Sequence, residues 1–223
     1  MTARRGAPRE VRVVAIDGPA GAGKSTLAQA VAAHLGMERL DTGAMYRAVA
    51  WSALRRGVDP GDAEAVAALA RAVRIEVGRR VVVDGVDATD EIRSAAVDGA
   101  VSAVAANPAV RAEMVVRQRA WVAARGRGVV EGRDIGSVVL PHADVKIYLT
   151  ASTEIRAARR AGERADGRSV AEVHAELLRR DRLDSTRSAS PLRHPDEAAE
   201  DATVIDSTGK SARAVLEEVL ACL

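Results

Sequence analysis

The chain has 223 residues, 48% of them apolar, with a formal net charge of +2 and a single cysteine, Cys222. That length suits one α/β domain with insertions, and a lone cysteine excludes an intrachain disulfide framework and points to a reducing compartment. The near-balanced charge and an aromatic content of only 2%, with no Phe, argue against nucleic-acid binding, which draws on basic surfaces and stacking rings.

No apolar run reaches membrane-spanning length. The opening MTARRGAPRE lacks the apolar region of a secretory signal and reads as a frayed tail, so a cytoplasmic protein is expected. With so few rings, the core must be aliphatic. Nearly every basic residue is Arg, the lysines being Lys24, Lys146 and Lys210, so each arginine has to be judged by its motif.

VRVVAID (11–17) is a short apolar run ended by Gly18-Pro19, as a buried parallel strand would be. Leu27, Val31 and Leu35 then mark one helical face that Gly36 closes. MERLDTG (37–43) predicts a second strand leading into a loop, and a helix with Met45, Val49 and Trp51 runs to about Gly57. Asp62 is positioned to cap a third helix. Residues 74–94 change character: β-rich runs flank Gly78-Arg79-Arg80, and Asp84-Gly85 supplies another turn, which predicts a hairpin or small meander inserted in the main domain.

A helical stretch from 95 to about 125 breaks near Asn107-Pro108, with Val110, Met114, Gln118 and Trp121 sharing a face in its second part. GVVEGRDIG (128–136) and DVKIYLTAS (144–152) predict the third and fourth core strands. Arg-rich helices are expected over 153–164 and 169–182, separated at Asp166-Gly167, and Ser169 with Glu172 forms a capping box. RLDSTRSASPLRHP (182–195) reads as an exposed loop. ATVIDSTG (202–209) is the fifth strand and turn, and a last helix carries Val215, Leu216, Val219 and Leu220. The pattern is a parallel sheet wrapped by helices, with its site at the C-terminal ends of the strands.

Gly18-Pro19-Ala20-Gly21-Ala22-Gly23-Lys24-Ser25 fits the phosphate-loop pattern G-x-x-x-x-G-K-[ST], in the strand–loop–helix context that the pattern requires. Successive backbone N–H groups make an anion nest and the helix start adds its positive end. Lys24 can reach the β- and γ-phosphates of a nucleoside triphosphate, and the Ser25 hydroxyl can bind Mg²⁺. A second Gly-Lys-Ser at 209–211 has Val204 where the first glycine should be, and reads as a turn and helix cap.

The loop shows what is gripped, not what is done with it. Phosphoryl transfer between two anionic substrates needs cations on both sides. Three groups offer them: LDTGAMYR (40–47) with Arg47, EGRDIG (131–136) with Arg133 and Asp134, and RRDRLDSTR (179–187). Any one alone reads as a solvated charged face, but the first two lie beyond strand ends, where ligands bind in doubly wound sheets.

IDGPAGAGKST, LDTGAMYR, DGVDATDEIRS, EGRDIGSVV and RRDRLDSTR, in this order and spacing, resemble the bacterial cytidylate kinase family, from about Val13 to the last helix. The resemblance implies a P-loop NTPase core with a five-stranded parallel sheet, over about 11–61, 107–155 and 188–223. An inserted nucleoside-monophosphate-binding lobe at about 62–106 would contain the small antiparallel β element. A helical lid would span about 156–187.

It further implies that Gly18, Pro19, Ala20, Gly21, Ala22, Gly23, Lys24, Ser25 and Thr26 hold the ATP phosphates. Thr42, Ser102, Arg111 and Asp134 would line a cytosine pocket. Arg47, Arg133 and Arg187 would hold the acceptor phosphate, and Arg180 with Asp184 the ribose. Arg159 or Arg160 would meet the donor phosphates, so that Lys24, Arg133, Arg187, Arg159 and Arg160 carry catalysis. Glu131 departs from the family's usual Asp; an acid there can orient Mg²⁺-bound water or bond its neighbouring loop.

The chemistry stands beside the resemblance. Cytosine offers an N4 donor next to N3 and O2 acceptors, which Asp134 and Arg111 match; uracil presents an acceptor that a carboxylate repels. The implied partners are ATP and CMP or dCMP, with Mg²⁺ and no nucleic acid or membrane, for an enzyme expected to be monomeric. Kinases for UMP, AMP or another small molecule stay open. A P-loop ATPase or GTPase switch also stays open, although the guanine-reading N-K-x-D segment is missing and the arginine-bearing loops would have no role.

Overall fold

The computed structural model describes residues 11–162, 167–187, 189–198 and 201–223. Strand β1 (Val13–Asp17) enters the glycine loop, and helix α1 (Lys24–Leu35) leaves it. Gly36 ends α1 in the left-handed conformation that lacks a penalty only for glycine. Strand β2 (Arg39–Asp41) passes directly into α2 (Thr42–Arg55). The loop expected between them is absent because the Asp41 carboxylate accepts from Ala44 N at 3.0 Å and caps the helix at once.

The next segment interrupts the strand–helix alternation. Helix α3 (Ala63–Ala72), capped by Asp62, leads to the antiparallel strands β3 (Ile75–Val77), β4 (Val81–Val83) and β5 (Val86–Asp87), a separate three-stranded meander. Asp84 and Gly85 both take positive φ, 50° and 82°, as a tight two-residue hairpin turn requires. Helices α4 (Ala95–Ala106) and α5 (Pro108–Arg125) meet at Asn107, whose side chain caps α5. Pro108 stands at the first helical position, where its missing N–H costs nothing.

Strand β6 (Gly128–Glu131) opens into a short bend and a π-helical turn at Ile135–Val139. Strand β7 (Val145–Thr150) precedes the helical hairpin of α6 (Thr153–Gly162) and α7 (Val170–Thr186), and β8 (Thr203–Asp206) precedes α8 (Ala212–Leu220). The Ser169–Glu172 capping box forms, and Ser211 of the second Gly-Lys-Ser caps α8. The exposed loop expected at 182–195 is corrected at its start: α7 continues to Thr186, and Asp184, Arg187 and Leu192 are buried. Ion pairing lets charged side chains enter the interior there, against what their polarity suggests. The readings for residues 1–10, 163–164 and Asp166 lie outside the described residues.

The five parallel strands are ordered β2-β6-β1-β7-β8. Alternation of side chains divides the core. Val14, Ile16, Val129, Ile147 and Leu149 pack under α1 and α8. Ala15, Leu40 and Val130 face the larger cluster built with α2 to α5 and the small meander. The first cluster is aliphatic and the second nearly so, with Tyr46 its one buried ring and Trp51 and Trp121 packed at its edge, as expected from a chain without Phe. The order puts β1 and β6 side by side at the sheet centre, so their C-terminal loops, with the glycine loop on one and Glu131 to Asp134 on the other, open at the same place.

Candidate active site

The glycine loop is shaped by close packing. Gly18 has φ 142°, and a Cβ there would fall on the Leu149 carbonyl oxygen, so no other residue fits without moving β7. Gly18 and Pro19 line neither of the two cavities that meet at Lys24 and Ser25; their carbonyls instead accept from Arg133 Nη1 and Lys24 Nζ, each at 2.8 Å. Lys24 is buried, and that burial, with Arg133 nearby, pushes its ammonium down to about 7. Ser25 Oγ donates to Glu131 Oε2 at 2.8 Å, and Arg39 Nη1 donates to Glu131 Oε1 at 2.7 Å. Burial, then Asp41, raises the Glu131 carboxyl to about 7. Thr42 Oγ1 donates to the Glu131 carbonyl at 2.7 Å, which ties α2 to β6.

The loop after β6 is anchored from below. Both Asp17 oxygens accept backbone N–H groups, from Ile135 and Gly136, at 2.7 Å each. This sets Arg133 and Asp134 above the sheet. Arg133 Nε donates to Asp184 of α7 at 3.0 Å. Burial opposes ionisation of Asp184, but Arg133, Arg180 and Arg187 outweigh it and hold the carboxyl below its usual range. Arg187 lies 3.6 Å from Asp184, and its Nε donates to the Ser190 carbonyl. Asp134 pairs with Arg111, whose guanidinium stands 5.5 Å from the centre of the Tyr46 ring. Arg47 pairs with Asp98 at 2.6 Å.

Several of these donors are buried without a hydrogen-bond acceptor: Arg111 Nε, Arg180 Nε and Arg187 Nη2. Such groups are costly unless something else meets them. They belong to the wall of a polar cavity that Lys24, Ser25, Thr42, Arg47, Ser102, Arg111, Glu131, Arg133, Asp134, Arg160, Arg180, Asp184 and Arg187 all line. A second cavity, on the α8 side, is lined by Ala22, Gly23, Thr26, Arg159, Ser207 and Lys210. The two share Gly21, Lys24, Ser25, Arg93 and Arg160. Arg159 sits on the second cavity alone, donating to Ser207 Oγ at 2.9 Å and to the Ser207 carbonyl at 2.8 Å.

Residues 14–223 match the family model described as cytidylate kinase. The chain belongs to the cytidylate kinase family. It is 50% identical over 217 residues to a cytidylate kinase of Mycobacterium avium, which covers 93% of this chain and 92% of that one. It is 50% identical over 218 residues to one of Symbiobacterium thermophilum, covering 93% and 94%. A gluconokinase structure from Sinorhizobium meliloti superposes with a TM-score of 0.52 at 14% identity, covering 96% of this chain and 92% of that one, which is a likeness of fold.

Within this cytidylate kinase family member, sequence reasoning passed over Asp17, Arg39, Tyr46, Arg93 and Asp98. Asp17 had a signal, as an acid ending a buried strand directly before the glycine loop. Asp98 had another: it is the one charged residue in AAVDGAVSAVAA, the whole of α4. Arg39, Tyr46 and Arg93 had none, because their roles depend on partners remote in the chain, such as Glu131 for Arg39.

Proposed function

We propose that the chain transfers the γ-phosphate of ATP to CMP or dCMP, giving CDP or dCDP. The observation that carries this reading is the pair of cavities sharing the Lys24–Ser25 wall, one of them ringed by arginines. A hydrolase needs one polyanion site; a transferase between two nucleotides needs two that meet.

On this reading ATP lies in the cavity between the glycine loop and α8, its phosphates on the loop's N–H groups and Lys24. The acceptor phosphate is held by Arg47, Arg133 and Arg187, the ribose by Arg180 and Asp184, and cytosine by Thr42, Ser102, Arg111 and Asp134. Arg159 and Arg160 face the donor. The acceptor oxygen is already ionised and attacks in line, so positioning and charge neutralisation are the protein's work. The chain divides into a core, a nucleoside-monophosphate lobe at about 62–106 and a lid at about 156–187. Closure of the lid would keep water from the γ-phosphate.

Mg²⁺ fits the residues present. Ser25 hydroxyl and Glu131 carboxylate form an oxygen-only pair beside the phosphate loop, and Glu131 is the longer acid where the family usually has Asp. Among the described residues no cluster of three or more His, Cys, Asp or Glu forms a cage, in keeping with an ion carried mainly by phosphates and water. When bound, it would add positive charge at the transferring phosphates. The reading takes the enzyme as a monomer. Among the described residues no helix is long and apolar enough to cross a membrane, and the reading places the enzyme in the cytoplasm.

The test is ADP release with CMP, dCMP, UMP, AMP, GMP and no acceptor, for the wild type and Asp134→Ala. CMP and dCMP should be the best acceptors, and the preference for CMP over UMP should fall roughly tenfold or more in Asp134→Ala. ADP release independent of acceptor would instead mark an ATPase. A preference unchanged in the variant would mean that the base is read elsewhere.

A further inference from the structure

Asp98 projects from α4, in the segment inserted between β2 and β6, and is only 7% exposed. A buried carboxylate close to a phosphate site carries the wrong sign to bind substrate there. Asp98 lines neither cavity. It touches arginines that do. Arg47 Nη2 of α2 is 2.6 Å from Oδ1. Arg160 Nη2 of α6 donates to both oxygens, at 3.2 and 3.1 Å. Arg180 Nη1 of α7 stands 4.0 Å from Oδ1. All three guanidinium groups face the arginine-ringed cavity.

These cations do not gather by themselves. Burial first, and then neighbouring guanidinium groups, push Arg47 down to about 10 and Arg180 to about 9. Like charges brought together in a partly dry cleft repel unless an opposite charge lies among them. Asp98 supplies it from behind the wall. It joins helices from three stretches of chain: α2 of the sheet domain, α4 of the insert, and the α6–α7 hairpin.

We propose that Asp98 is a positioning residue for phosphoryl transfer: it gathers Arg47, Arg160 and Arg180 into a preformed array at the meeting of the two cavities, and in doing so docks the α6–α7 hairpin against the inserted segment. The proposal rests on the kinase reading above. It adds that correct arginine geometry at the transfer point depends on a carboxylate that never touches substrate.

The test compares wild type, Asp98→Asn, which keeps shape and removes charge, and Asp98→Glu, which keeps charge and displaces it. Steady-state CDP formation, ATP hydrolysis without acceptor, and ADP affinity by calorimetry are measured, with circular dichroism for folding. In Asp98→Asn, kcat/KM for CMP should fall roughly 10- to 100-fold, since misplacement of about an ångström costs that order. Asp98→Glu should lose about threefold or more in kcat, between wild type and Asp98→Asn. ADP affinity should fall much less than kcat/KM for CMP in both, because the glycine loop and Lys24 are untouched and, of the three arginines that Asp98 gathers, only Arg160 lines the second cavity. The acceptor-independent share of ATP turnover should rise.

A double variant with Arg160→Gln should lose little beyond the larger single loss, since the two residues act as one unit. Losses that simply add, or wild-type kcat and turnover partition in a folded variant, overturn the proposal. Should Asp98→Asn not fold, Asp98→Glu decides alone: wild-type kcat in it overturns the proposal. A wild-type protein that does not phosphorylate CMP would sink the kinase reading instead.

Discussion

Asp17 shows how much one side chain can set. Its two oxygens accept from Ile135 N and Gly136 N, 118 and 119 residues along the chain, and so fix the loop that presents Arg133 and Asp134. Burial raises its carboxyl from 3.8 to about 6, against the pull of those two N–H donors. A carboxyl raised on folding binds its proton more tightly in the folded than in the unfolded chain. Its contribution is therefore fully present below about pH 4 and is lost as pH rises through about 6. Asn has one acceptor oxygen where two donors wait, so Asp17→Asn should destabilise the protein by about 1–3 kcal/mol. That cost should shrink between pH 4 and pH 7, because only the wild type loses stability by ionising there. Urea unfolding at both pH values checks it; a cost that grew with pH would mean that the ionised form is the one the fold prefers.

Among the elements, the ones anchored by local chemistry matched expectation best. Asn107-Pro108 ends one helix and starts the next, Asp62 and Ser211 cap as read, and the glycine loop joins β1 to α1. The loop expected before α2 gives way to a local cap by Asp41, whereas the extent of α7 was misread because a distant partner intervenes. The continuation of α7 to Thr186 accompanies the burial of Asp184 and Arg187 in a network with Arg133. At the other end of α7, Ser169 and Glu172 bond each other's backbone reciprocally on an exposed turn. Ser169→Ala should cost about 1 kcal/mol and, because Ser169 and Glu172 line neither of the two cavities, leave ADP affinity unchanged. Chemical denaturation and calorimetry measure the two; a large fall in affinity would show that the start of α7 acts on the donor site.

Across the whole molecule, the notable arrangement is two cavities with one wall. Lys24, Ser25 and Arg160 face both, and the α6–α7 hairpin reaches the glycine loop through Arg156, which donates to the Ala20 carbonyl and to Asp181. Ligands that order the same wall help each other, since the second finds part of the ordering already done. A non-hydrolysable ATP analogue and CMP together should therefore raise Tm by more than the sum of their separate shifts, measured by thermal unfolding at saturating ligand. Strictly additive shifts would indicate two independent sites.

The linear order of residues was enough for the glycine loop, the strand–helix alternation, most caps and the family, because each is written within a few neighbouring residues or in motifs of fixed spacing. It was also enough to nominate Arg47, Arg133, Asp134 and Arg187, which now line one cavity. Folding alone chose the pairings. Asp17 with Ile135, Arg39 with Glu131 and Asp98 with Arg47, Arg160 and Arg180 join segments that meet only when parallel strands bring their ends together and an insert packs against a distant helical hairpin. A charge in a one-dimensional pattern has no neighbour but the next residue; its energy is settled by what burial and chain crossing set within a few ångströms.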